Sequence, residues 1–462
     1  MMLERYFDLS AQGTTVGREA RAGLTTFMVM AYIIFVNPAI LSFAGVPGLE
    51  GKGGPFAAVQ AATCLVAGLL TLAMGLATNY PLALASGMGL NAVVAFQLIA
   101  GLKLSWPAAM GVIFLEGLAI TALVLTGFRE AIMNAIPLAL KQAISAGIGL
   151  FILFIGLVSA GIVKPGPPGV PVTLGDLATA PVGVAIVGLL VTLWLFARGN
   201  SGTLLLGILL ATVVAVIVNI VTAGRAFPIP GQAVIPRALV AWPDFSSLGV
   251  GINLEVFAQV GVVTALVTIF SIMLSDFFDT MGTVIGIGGE AGWLDRNGKL
   301  PRLNRVLLVD SLAAAAGGAA GASSATTYIE SAAGVSAGAR TGLASVVTGV
   351  CFLLALFFSP LAAIVPAQAT APALLVVGYL MVAIIKDIRF SDIEEGFPAL
   401  LTLAVMPFTY SITNGIGAGF IAYSFIKLVR GKGPTVHPMM WAAAFAFVLY
   451  FALPGLRVTL GF

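Results

Sequence analysis

VGVVTALVTIFSIMLSDFFDTMGTVIGI, residues 260–287, carries two carboxylates, Asp276 and Asp279, inside an otherwise apolar run. A helix rises 1.5 Å per residue, so this run is long enough to cross about 30 Å of hydrocarbon with some tilt. An ionised side chain at mid-membrane depth costs roughly 2.5–3.5 kcal/mol even on the gentlest scale. A third carboxylate, Glu330, follows a run of small residues about fifty positions later. Three acids kept among apolar spans point to a polar or charged cargo, and therefore to a transporter.

The rest of the chain has the same character. Charged residues make up 9% of the sequence and hydrophobic ones 59%, against a usual charged share of about 25% for soluble domains. Apolar runs of membrane-spanning length recur along nearly all of the 462 residues, and no soluble domain is visible between them. The 55 glycines suit closely packed and broken membrane helices. Cys64 and Cys351 both lie in apolar spans and read as buried free thiols. With His437 as the only histidine there is no cluster of metal-ligand spacing, so neither a metal nor a cofactor is expected. The net charge of +3 is spread over loops, which argues against nucleic acid as a partner. The opening MMLERYFDLSAQG is polar and amphipathic and lacks the basic-then-apolar pattern of a cleaved signal.

The candidate spans are 24–44, 57–77, 81–100, 107–126, 138–163, 181–197, 203–222, 260–285, 306–322, 323–338, 341–364, 367–386, 397–411 and 412–430. A further apolar stretch over 439–453 ends at Pro454 and reads either as a span or as an interfacial segment. With the N-terminus inside, sixteen Lys and Arg fall in cytoplasmic positions, among them Arg129, Lys141, Arg296 and Lys299. Five fall on the other side: Lys52, Lys103, Lys164, Arg225 and Arg237. This positive-inside bias orients the chain as a multi-pass protein of the cell inner (plasma) membrane with a cytoplasmic N-terminus.

Two spans do not read as ordinary helices. Pro81 opens PLALASGMGLN (81–91), where Gly87 and Gly89 interrupt the helical pattern. In SSATTYIESAAG (323–334), hydroxyl and β-branched residues precede a small-residue helix. Each reads as a short strand feeding a half-helix. They are the third and tenth spans, and an offset of seven reverses orientation, which is the pattern of an inverted repeat. Interrupted helices at matching positions point to a binding site near the bilayer midplane.

Asp276 and Asp279 are three apart and therefore share a helix face, one turn apart. Two ionised carboxylates so close repel, which favours a proton that can be loaded and released. One acid is read as binding substrate and the other as serving coupling; the bland reading is that backbone amides and hydroxyls such as Thr280 and Thr283 satisfy both. Glu330 begins the second half-helix, either as a cap or as an acceptor beside free backbone N–H donors. A carboxylate next to amides matches the lactam edge of hypoxanthine or guanine, an N–H beside a C=O. Asn91 begins the first half-helix and either caps it or reads a purine ring. Glu116, in the fourth span, is buried by position and is grouped with coupling; Asp310 lies near a membrane boundary, where a cap or surface role is preferred. Phe27, Tyr32, Phe277 and Phe278 are candidate stacking partners for a flat base.

At these residues the chain resembles the AzgA-like purine permeases, a branch of the nucleobase–cation symporters with the uracil-permease fold. The matching strings include TTFMVMAYIIFVNPAIL (25–41), SGMGLNAVVAF (86–96), SDFFDTMGTVIGIGGEAG (275–292), TTYIESAAGVSAGARTGL (326–343) and MPFTYSITNGI (406–416). The resemblance implies an all-α polytopic membrane protein of about fourteen spans in a 7+7 inverted repeat. After a cytoplasmic segment 1–23, it implies a core domain from 24–127 and 258–365 and a gate domain from 128–257 and 366–462. It implies uptake of guanine or hypoxanthine with a cation, usually a proton, and leaves adenine as the alternative base. Carried over position by position, Asn91, Asp276 and Glu330 would bind substrate; Phe277 and Tyr328 join them as binding candidates on their position in the sequence, not on the resemblance. Asp279 would serve translocation; Thr283 and Glu116 are grouped with it as coupling candidates on their position in the sequence, not on the resemblance. Relatives of this fold often dimerise through the gate.

Two other readings are weaker. An anion carrier would not line its site with acids. An intramembrane aspartyl protease needs facing carboxylates from different helices, whereas Asp276 and Asp279 lie on one turn and no Gly-x-Gly-Asp occurs. No catalytic residue is expected.

Overall fold

The computed structural model describes residues 2–43, 49, 51–127, 135–167, 169–200, 202–228, 231–236, 238–294 and 300–460. Arg129, Arg237, Arg296 and Lys299, used above to orient the chain, lie outside the described residues.

The chain is mostly helical. An N-terminal turn of helix α1 (Met2–Phe7) precedes α2 (Val16–Met30) and α3 (Ile33–Leu41), which form one crossing interrupted at Ala31–Tyr32. Then come α4 (Phe56–Thr78), strand β1 (Leu84–Ser86), α5 (Met88–Ala92) with a wider π-type continuation over Val93–Gly101, and α6 (Trp106–Thr126). A second group holds α7 (Leu138–Ser159), a peripheral hairpin of β2 (Val163–Pro165) and β3 (Val172–Leu174), α8 (Ala180–Ala197) and α9 (Thr203–Val221). The short α10 (Val256–Val260) leads into the long α11 (Val262–Glu290), followed by α12 (Leu303–Ala320), β4 (Ala325–Thr327), α13 (Ser331–Ser336) and α14 (Gly342–Ala355). The chain ends with α15 (Ser359–Ala363), α16 (Ala367–Val382), α17 (Ile393–Thr409), α18 (Ile412–Val429) and α19 (Pro438–Leu460).

Among the described residues, ten helices are long and apolar enough to cross a bilayer. Four of the expected crossings are not among them: the two strand-fed segments, the Ala/Gly-rich α12 and the 17-residue α17. The division near residue 411 falls at Tyr410, which turns the chain with φ +51°. Ser411 then caps α18, its Oγ accepting from the Asn414 amide at 3.1 Å. The last apolar stretch is not ended by Pro454; α19 runs through it to Leu460.

Helices meet where side chains are smallest. Gly75 and Gly342, and Gly68 and Gly349, bring α4 and α14 so close that an added Cβ on one would strike backbone of the other. Gly117 meets Ala315 across the α6–α12 seam, and Gly149 meets Gly378 across α7–α16. Close approach of this kind is what drives association between helices when lipid offers no hydrophobic advantage.

The two strands are made in the same way. α4 stops at Asn79, whose left-handed φ of +54° turns the chain, and Pro81 forbids a return to helix. α12 stops at Gly321 (φ +78°), and Ser323 turns the chain again at φ +69°. The released segments pair antiparallel, Leu84 opposite Thr327, Ala85 opposite Thr326 and Ser86 opposite Ala325. Two flanking bonds extend the ribbon, Gly87 N–H to Ser324 O at 2.8 Å and Tyr328 N–H to Ala83 O at 2.9 Å. All six paired residues are buried. Extended backbone survives at such depth because each strand satisfies the other.

The second crossing is also tied to the N-terminal segment. Glu19, fully buried, accepts from Thr14 Oγ1 (2.8 Å), Arg340 N–H (2.9 Å) and Thr341 N–H (3.2 Å).

Candidate functional site

Where the strands deliver their half-helices, a cavity of about 70 Å³ opens. It is lined by Gly87, Met88 and Gly89 from the first crossing and by Thr326, Thr327, Tyr328, Ile329 and Glu330 from the second. α11 contributes Asp279 and Thr283, the α2–α3 break contributes Tyr32, and α16 closes the far side with Val377 and Met381. Tyr32 donates to Glu330 Oε1 at 2.8 Å, and the Tyr328 hydroxyl donates to the Ser86 carbonyl across the ribbon. Glu330 does not cap α13 with its side chain.

The amides beside Glu330 are not free, contrary to the sequence reading. Ser331, Ala332 and Ala333 donate to the carbonyls of Tyr328, Ile329 and Glu330 at 3.1, 2.9 and 3.0 Å. The chain leaves β4 through a tight turn, which uses those donors. Unused amides belong instead to the first crossing, where the opening turn of α5 borders the cavity and has no carbonyl one turn back.

A second polar group lies behind the ribbon. Asp310 on α12 accepts from Thr327 N–H (2.8 Å), Thr327 Oγ1 (2.6 Å) and Thr280 Oγ1 (2.7 Å). Thr280 and Thr326 share a hydroxyl contact at 2.5 Å. Ser324 Oγ donates to Asp276 Oδ2 at 2.9 Å. Glu116 on α6 is fully buried beside Asp276 and Ser324.

The fold also matches known transporters. The transmembrane domain of a cyanobacterial bicarbonate transporter superposes with a TM-score of 0.60 at 15% identity, covering 87% of this chain and 96% of that one. The model of the permease family matches residues 17–453. This chain belongs to the permease family. The guanine/hypoxanthine permease PbuG of Bacillus subtilis is 42% identical over 97% of this chain and 99% of its own length. The adenine permease AdeQ of Escherichia coli is 39% identical over 97% of this chain and 95% of its own. The protein is thus a multi-pass membrane transporter and not an enzyme.

The permease brings some of the sequence-derived residues together and separates others. Glu330, Tyr328, Asp279 and Thr283 line the cavity. Asp276 and Glu116 are both buried and lie outside that lining, Asp276 held by the Ser324 hydroxyl. Asn91 does not begin its half-helix; Gly87 is the cap, and Asn91 sits in the fourth position with its amide to Gly87 O at 2.9 Å. Both polar atoms of its side chain are buried without a partner. Phe277 packs edge-on against Phe278 at 5.6 Å between centroids, and Phe27 against Phe352 at 5.1 Å. Asp310 is not a surface cap: it is 4% exposed and fixes β4.

Proposed function

We propose that this permease moves purine nucleobases inward, guanine and hypoxanthine first, together with a proton. The observation that carries the reading is Glu330, a buried carboxylate bound to Tyr32 at a cavity between two interrupted crossings. A purine N–H, or the N–H pair of guanine, would donate to Glu330, a charge-assisted bond of the stronger kind. The opening amides of α5 would take the ring carbonyl. The names of the relatives agree with this cargo, and the similarity to an adenine permease keeps adenine as the second reading.

The antiparallel ribbon supports an inverted repeat, since its strands enter from oppositely oriented segments. On that reading the ten long helices, the two strand-fed crossings, α12 and α17 make fourteen spans, with α19 left over. Residues 24–127 and 258–365 form the core, and 128–257 and 366–462 form the gate carrying Val377 and Met381. Core and gate shift against each other, opening the cavity first outward and then inward. The N-terminus is cytoplasmic in the cell inner membrane, and the gate offers the surface for a homodimer. Asp279, at the cavity, serves translocation.

Uptake of labelled hypoxanthine by vesicles tests the proposal, with guanine, adenine, xanthine and uracil as competitors. Guanine should compete best, and collapse of the proton gradient should stop accumulation. Competition by uracil alone would remove the purine assignment. Accumulation that survives without any proton gradient would remove the coupling.

A further inference from the structure

The first crossing grips the second half-helix at both ends. At the cavity, Tyr32 donates to Glu330 Oε1 at 2.8 Å, immediately before α13 begins. At the far end, where the chain passes from α13 to α14, the fully buried Glu19 takes two consecutive backbone amides. Its Oε1 accepts from Arg340 N–H at 2.9 Å and its Oε2 from Thr341 N–H at 3.2 Å. Between these ends α2 runs antiparallel to α13 in close contact. A Cβ on Gly334 would lie 2.0 Å from Thr26 Oγ1 and 3.1 Å from the Ala22 carbonyl oxygen. One on Gly338, which has φ +105°, would lie 2.3 Å from Arg18 Nε. The amides that leave α13 are all engaged. Ala337, Gly338 and Ala339 donate to the carbonyls of Ala333, Val335 and Gly334 at 3.0, 2.9 and 2.9 Å. Arg340 and Thr341 come next, and a carboxylate can accept from both through separate oxygens. A glutamine there would turn an NH2 group toward one of the two N–H donors.

A six-residue helix is marginal by itself, so its place is set by what holds its ends. We propose that Glu19 is a positioning residue for the cargo site. It fixes how far α13 slides along α2, and so the height at which Glu330 stands opposite the opening turn of α5. Glu19 and Tyr32 lie about 20 Å apart along their crossing at 1.5 Å per residue. Glu19 therefore touches no cargo and acts through α13 as through a short strut. The N-terminal segment 1–23 becomes part of the binding apparatus, where the sequence reads as a cytoplasmic lead-in. The effect on cargo rests on Glu330 as the acceptor proposed above, whereas the strut itself does not.

The experiment is a double-substitution cycle on the purified permease, read as the dissociation constant for hypoxanthine. Glu19→Gln should weaken binding roughly three- to thirtyfold in the otherwise native chain. It should add less than about twofold once Glu330→Gln is present, because both changes act through one group. Glu19→Asp keeps two acceptor oxygens on a shorter stem and should fall between wild type and Glu19→Gln; it carries the cycle if Glu19→Gln does not fold. Tyr6→Phe is the control for general loosening of the N-terminal segment. It removes only the bond from the Tyr6 hydroxyl to Leu76 O at 3.0 Å and should leave the constant unchanged. Hydrogen exchange reads the strut without cargo: the amides of Ser331 to Ala333, at the cavity end, should exchange about tenfold faster in Glu19→Gln. Fully additive losses from Glu19→Gln and Glu330→Gln would overturn the proposal. An equal loss in Tyr6→Phe, or unchanged exchange at the cavity end, would do the same. If Glu330→Gln alone binds hypoxanthine as wild type does while exchange quickens in Glu19→Gln, the cargo reading fails and the strut stands.

Discussion

The two interrupted crossings share a backbone plan and differ in what they carry. Both follow a helix stopped by a left-handed residue, both run extended for three residues, and the strands pair with each other. β1 reads Leu-Ala-Ser, and its one hydroxyl donates to the Ala322 carbonyl at 2.6 Å. β4 reads Ala-Thr-Thr, and both threonines connect to acids or to hydroxyls bonded to acids. α5 opens with bare amides and the unpartnered Asn91, whereas α13 opens with Glu330. The first crossing thus offers donors and the second offers acceptors. A planar heterocycle that both donates and accepts fits between such unlike halves better than between copies.

The difference is tested first where the effect is largest. Glu330→Gln replaces the carboxylate that takes the Tyr32 hydroxyl with a neutral group. A hydrogen bond to a charged group contributes about 1.5–3 kcal/mol, so hypoxanthine affinity should fall roughly 10–100-fold. Equilibrium binding to the purified variant measures it, and an unchanged dissociation constant would reduce Glu330 to a structural acid.

The next test compares the strands directly. Asp310→Asn weakens the anchor of β4, which takes three donors, and should cost about 1–3 kcal/mol of stability. Ser86→Ala removes one neutral bond from β1 and should cost about 1 kcal/mol. Thermal unfolding in detergent ranks the two. If Ser86→Ala proves the more damaging, the asymmetry between the strands is not where the stability lies.

Much of this architecture was legible in the sequence because breaks have local causes. Pro81, the paired glycines 87 and 89, and the hydroxyl-rich run at 323–327 each announce an end to helix before any tertiary contact is known. Azimuth and depth were harder to read. Residues three apart on a helix differ by about 60° and one rise of roughly 4.5 Å. That is enough to send Asp279 to the cavity and Asp276 toward α6, although one spacing had placed them together. Asp310 was misjudged because distance from a span's end says nothing about what packs over it, and α6 and β4 bury it. The donors beside Glu330 were misjudged because a tight turn consumes amides that a straight entry would leave open.

The smallest expected effect concerns Asn91. Its side chain is fully buried and neither polar atom has a partner, an arrangement that costs about 1–3 kcal/mol for each group left unsatisfied. Leucine keeps the branched shape and the number of side-chain heavy atoms and removes both orphans, so Asn91→Leu should leave the unfolding temperature unchanged or raise it slightly. Transport should nevertheless fall, because a polar group held at such cost beside the first half-helix is kept for an arrangement in which cargo or a displaced β4 supplies its partner. A marked drop in thermal stability would show that Asn91 already has a partner in the resting protein. The contrast between a donor half awaiting cargo and an acceptor half already tied down would then have to be redrawn.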